Sequence, residues 1–111
     1  MNINFNGYGE NVATFLASSA VKEGDFVIMG ENNYQVVPAT ANAELFGKCL
    51  SVRDGYAAVM TSGYIETPYE GEITLGLCGI VTASADKAAY SANAEKHKVI
   101  YIDDDKVGFI L

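Results

Sequence analysis

The side chains that could do chemistry are few in this sequence and lie far apart. His97 is the single histidine, set between Lys96 and Lys98 in a polar stretch. A general base of the triad type needs a nucleophile and an orienting carboxylate within hydrogen-bond reach. No Ser-His or Cys-His pair adjoins it, so it reads as a solvated surface group. Asp103-Asp104-Asp105 could offer carboxylate oxygens to a hard cation. Calcium loops alternate their ligands and add a glycine and a distal glutamate, and that spacing is absent here. A solvated turn between two apolar strands is the simpler reading, and its charges discourage edge-to-edge sheet pairing. Glu66, Glu70 and Glu72 form a second acidic group. Carboxylates that cleave glycosidic bonds face each other across a cleft, whereas these flank Pro68 and Gly71 in a turn. Gly7-Tyr8-Gly9 has no strand before it and no Lys-Ser/Thr after it, so it is not a phosphate loop. The residues predict no catalytic group, no metal site and no cofactor.

Cys49 and Cys78 each lie inside an apolar segment. They are expected as reduced, buried thiols, with a disulfide between them left open. Seven tyrosines and no tryptophan are present. Tyr56, Tyr64 and Tyr69 fall near strand ends, where they suit a sugar-stacking face, a protein interface, or the rim of a small core.

The elements that must carry these residues are strands. Phe26 to Met29 and Tyr34 to Val37 flank Gly30-Glu31-Asn32-Asn33, a hairpin turn. Leu45 to Val52 runs into Asp54-Gly55, a strong turn signal, and Tyr56 to Thr61 follows. Tyr64 to Tyr69, Ile73 to Leu75 and Leu77 to Thr82 continue the series. Val99 to Ile102 and Val107 to Leu111 flank Asp103 to Lys106, another hairpin. Glycines recur every eight residues at 47, 55, 63, 71 and 79. Units of that length suit a compact antiparallel barrel or sandwich, read here as a meander and not a solenoid. Ala85 to His97 is alanine-rich and could form one short helix, with a loop and short strand as the competing reading. Ala41 to Leu45 could make one turn. The expected core is Phe15, Val27, Val36, Leu50, Val52, Val59, Ile65, Leu75, Val81, Ile100, Ile102, Phe109 and Leu111.

Residues 1–10 read as an extended arm preceding one β-rich domain over residues 11–111. In the arm, Asn2, Asn4 and Asn6 alternate with Ile3 and Phe5, a period-two strand pattern cut off from the body by Gly7 and Gly9. A lone strand is unstable in water and must pair with something. Adding to a neighbouring sheet would use backbone hydrogen bonds for affinity and pockets for Ile3 and Phe5. Ile3, Asn4, Phe5 and Tyr8 are therefore the expected contact residues.

Composition narrows the partners. The net charge is −7, with residues 1–55 carrying three cations and six anions (−3) and residues 56–111 four and eight (−4). No basic patch of the kind that neutralises phosphates is present, which argues against nucleic acid. No apolar run reaches the roughly 18 residues of a membrane span. The N-terminus has no cationic segment of the secretory type, so a chain made inside the cell is expected.

Ala13-Thr14-Phe15-Leu16-Ala17 and Val21-Lys22-Glu23-Gly24-Asp25-Phe26-Val27 resemble the opening of small tailed-phage capsid decoration, or head cement, proteins (DUF2190-like, β-tulip type). The similarity continues from Phe46 to Val59, through Ser62-Gly63-Tyr64, and closes with Val107 to Leu111; residues 83–98 match poorly. Lys22 to Val27 also resembles β-clip folds, antifreeze-like SAF domains among them. The resemblance implies an all-β single domain, a small β-barrel or β-clip/β-tulip-like body with at most one short helix. It further implies a structural virion protein without a catalytic site. Such a protein binds the outer surface of the shell, contacts the major capsid protein, forms trimers and stiffens the assembled capsid. The alternative is a small glycan- or receptor-binding module on the virion surface, with Tyr56 or Tyr64 as stacking residues. An SAF-like accessory domain of an enzyme would need a basic pocket and a fused catalytic domain.

Overall fold

The computed structural model describes residues 10–111, and every described element is a strand or a turn. The first five strands are β1 (Asn11–Ala17), β2 (Phe26–Met29), β3 (Gln35–Pro38), β4 (Gly47–Arg53) and β5 (Tyr56–Ser62). They close into a barrel in the order β1-β3-β2-β4-β5, so β1 pairs antiparallel with β5 and parallel with β3. Closure removes free edges from this part of the molecule. Inside sit Val21, Val27, Val36, Cys49, Ala57 and Val59, with Phe15 and Ala17 packed against them.

The remaining strands are β6 (Tyr64–Thr67), β7 (Tyr69–Glu70), β8 (Gly76–Ser84), β9 (Lys87–Tyr90), β10 (Lys96–Ile102) and β11 (Val107–Ile110). They form one sheet in the order β6-β11-β10-β8-β9-β7. Its inner face lies on the outside of the barrel. Phe26, Ala39 and Met60 from the barrel side share a second core with Ile65, Cys78, Ile80, Val99, Val107 and Phe109 from the sheet. β5 is thus buried on both faces near its end, Val59 into the barrel and Met60 into the seam.

Local chemistry explains the turns. Gly30 N donates to Gln35 O at 2.8 Å and closes the β2–β3 hairpin. Asp54 and Gly55 both have positive φ, 53° and 80°, in the two-residue β4–β5 turn, a conformation that Asp and Gly tolerate best. The eight-residue glycine spacing has two different causes. Gly55, Gly63 and Gly71 have positive φ and lie at turns, while Gly47 and Gly79 sit inside strands. A Cβ on Gly79 would collide with the backbone oxygen of Ser91. The meander expectation holds only as far as the β4–β5 hairpin, because β6 leaves the barrel and pairs with β11 at the far end of the chain.

The helix option over Ala85 to His97 is not realised: that stretch holds β9, a turn and the start of β10. Residues 71–75, expected as a strand over Ile73 to Leu75, form no strand. Four expected core residues are exposed. Leu50 and Ile100 are the residues skipped at register shifts in β4 (Cys49 to Ser51) and β10 (Val99 to Tyr101). Such a bulge puts two residues opposite one and turns the extra side chain out of the alternation. Val52 stands at the open end of the barrel, and Leu75 precedes β8.

Two polar staples tie distant segments together, the first across the layers and the second within the six-stranded sheet. The buried Thr82 hydroxyl donates to Thr40 O at 2.6 Å and accepts from Ala43 N at 3.2 Å, holding residues 40–43 against β8. Tyr69, packed against the seam core, donates from its hydroxyl to Asp103 O at 2.8 Å.

Candidate functional site

The structure gives each candidate chemical group a structural occupation. His97 is half-buried on the inner face of β10, cross-strand from Cys78, with its ring edge-on to Phe109 at 5.8 Å. Its Nδ1 lies 3.1 Å from Ile110 O, and since a carbonyl only accepts, Nδ1 carries the proton. Nε2 is buried without a hydrogen-bond partner among the described residues. The expectation of a solvated histidine is corrected here: alternation along β10 turns this ring inward between two exposed lysines. Among the described residues no hydroxyl or carboxylate is bonded to it.

Asp103 is saturated. It accepts from Tyr101 Oη at 2.6 Å and from the backbone amides of Asp105 and Lys106, both at 2.8 Å. These bonds, the tyrosine first, hold its carboxyl below the ordinary aspartate value. The same bond raises the Tyr101 hydroxyl. Asp103 therefore builds the β10–β11 turn. Glu66 accepts from Tyr64 Oη at 2.8 Å and pairs with Lys106 Nζ at 3.3 Å. Glu70 and Glu72 are exposed. Among the described residues no group of three or more His, Cys, Asp or Glu could hold a metal ion. Cys49 and Cys78 are free and buried, and burial pushes the Cys49 thiol up.

The tyrosines separate into two kinds. Tyr64 and Tyr69 are half-buried, Tyr64 lying over Gly108 so closely that a Cβ there would meet its hydroxyl. Tyr56 is 53% exposed on the barrel. Ile3, Asn4, Phe5 and Tyr8 lie outside the described residues.

What remains are surfaces. On the outer face of the six-stranded sheet, Leu77 alternates with the buried Cys78 and stands cross-strand from Lys98. Leu75 and Leu77 are 65% and 67% exposed, and Ile100 and Tyr101 also face solvent. Lys96 and Lys98 beside them are exposed and form no ion pair among the described residues. This apolar patch with two cations, on a chain of net charge −7, was not legible in the strand pattern. Leu77, Gly79 and Val81 alternate with Cys78, Ile80 and Thr82, and a strand apolar on both faces reads as wholly buried. The second surface is the barrel wall around Arg53 and Tyr56, a groove of about 380 Å3. Among the described residues no helix is long and apolar enough to cross a membrane. No protein-family model matches the chain, and no curated protein matches it.

Proposed function

We propose that this chain is a structural virion protein that binds the outer surface of a tailed-phage capsid and stabilises the assembled shell. Its chemistry is protein–protein contact. The observation that carries this reading is the outer sheet face: Leu77 and Ile100 project beside Lys96 and Lys98, and neither lysine forms an ion pair among the described residues. Exposed apolar residues gathered on one face mark interaction surfaces more often than chance scatter does. Two unpaired cations among them favour an anionic, partly apolar protein surface as partner. The resemblance of residues 12–82 and 99–111 to decoration proteins supports the same partner, the major capsid protein, and a trimeric arrangement on it.

The arm adds a second contact. In this reading residues 2–6 add to the sheet of the shell or of an adjacent decoration subunit, with Ile3, Asn4, Phe5 and Tyr8 as the contact residues. A protein that binds assembled shell and not loose subunits stabilises the shell by mass action. Symmetry repeats each contact and multiplies its effect. Co-sedimentation with empty shells tests the proposal. Deleting residues 2–9, or replacing Leu77 by Asp, should abolish occupancy while leaving the fold intact; full occupancy by both variants would sink it.

A further inference from the structure

A second function is written on the barrel wall, away from the outer sheet face. Strand register sets out two rows of side chains across β1, β5 and β4. One row is Thr14–Ala58–Ser51 and the next is Leu16–Tyr56–Arg53. Residues two apart on a strand share a face, so both rows look outward, opposite to Ala57 and Val59, which fill the barrel. The first row is made of small side chains with the alanine in the middle. The second is made of long ones. Together they form a step: a floor at Ala58, hydroxyl groups of Thr14 and Ser51 at its sides, and Tyr56 and Arg53 standing above it. This is the groove of about 380 Å3, to which Asp54 also contributes. Its other end is closed by the next row, Val12–Met60–Lys48, where Met60 dives into the seam with the second sheet.

The chemistry of this step is specific. Tyr56 is more than half exposed and offers a ring face. The Arg53 guanidinium forms no ion pair among the described residues, so its five donors are uncommitted. Asp54, in the turn, can only accept when ionised. A planar fork binds a carboxylate through two parallel hydrogen bonds. An aromatic face with flanking hydroxyls is suited to a pyranose, whose C–H edges lie on the ring while its hydroxyls find polar partners. We infer that the Thr14–Ser51–Arg53–Tyr56 step binds a carboxylate-bearing sugar of the hexuronic acid type, with the acid on Arg53, the ring on Tyr56 and hydroxyls on Asp54, Thr14 and Ser51. The inference does not rest on shell attachment, since the step uses none of the residues assigned to it.

Amide chemical shifts of the full chain test it, with methyl glucuronide and methyl glucoside as probes. The two sugars differ only in the carboxylate. The glucuronide should move the amides of Thr14, Ser51, Tyr56 and Ala58, and the glucoside should bind about tenfold more weakly, the loss of one charge-assisted pair. Arg53→Gln should bring the glucuronide down to the glucoside's affinity, and Tyr56→Ala should remove both. Both side chains are exposed, and the two-sugar comparison on the unaltered chain needs no variant at all. Silence toward both sugars at about 10 mM, where millimolar affinity is visible, would overturn the assignment. Equal binding of the two sugars would also overturn it, as would an acidic peptide moving the same amides as strongly. Shell co-sedimentation is unaffected by any of these results.

Discussion

Lys48 Nζ donates to Glu66 O at 3.3 Å and stands 5.6 Å from the centre of the Phe26 ring. One side chain from the barrel thus ties down the backbone of β6 in the other sheet. It does so over the largest buried residue of the seam. The ammonium is charged in a place with little water, and burial lowers its pKa.

That displacement has a sign. A lysine whose folded value lies below its unfolded value of 10.5 binds fewer protons in the folded state across that interval. Stability therefore rises with pH there. Denaturation of the native chain and of Lys48→Met, run from neutral pH up to the ordinary lysine value, should show the native chain gaining on the variant as pH rises. A constant difference contradicts this.

Thr82→Val keeps the shape at that position and removes the hydroxyl shared by Thr40 O and Ala43 N. The amide of Ala43 then loses its side-chain acceptor, and the expected cost is about 1–3 kcal/mol. A denaturant midpoint equal to that of the native chain would show that water replaces the hydroxyl freely.

Gly108→Ala should cost about 1–3 kcal/mol by overpacking, because the added methyl meets the Tyr64 hydroxyl. In a Tyr64→Ala background the same substitution should cost much less. A double-mutant cycle reads the coupling directly, and equal costs in both backgrounds would mean the clash is relieved elsewhere.

Cys49 and Cys78 are buried, and the Cys49 thiol is held protonated by its surroundings. Native protein should therefore resist alkylation at neutral pH, with both sites labelled once denaturant is added. Fast labelling of the native chain would place a thiol at the surface. Failure of denatured, unreduced chain to label would reveal a disulfide.

The parts of this fold that were legible in the sequence are those decided within a few residues. Gly30 to Asn33, Asp54-Gly55 and Asp103 to Lys106 carry their own turn chemistry, and each closes an antiparallel hairpin in the structure. Long-range pairing was not legible. Nothing local says that β6 will pair with β11, or that β1 will close a barrel by running parallel to β3. The burial errors have one physical root in Leu50 and Ile100. A bulge breaks the period of two, and every inference from alternation fails at the extra residue. His97 failed in the opposite sense: the lysines on either side suggested water, but a strand sends its alternate side chains the other way. The candidate surfaces depend on the same pairing. Arg53 and Tyr56 adjoin because a turn puts them opposite each other, whereas Thr14 joins them only through the closure of the barrel.

The most direct test of the central claim is the mass of the chain in solution by light scattering, followed by sedimentation with empty shells assembled from a tailed-phage major capsid protein. The account predicts a trimer that travels with the shells, and loss of that association on Leu77→Asp or on deletion of residues 2–9. A monomer that stays in the supernatant at every shell concentration would contradict it.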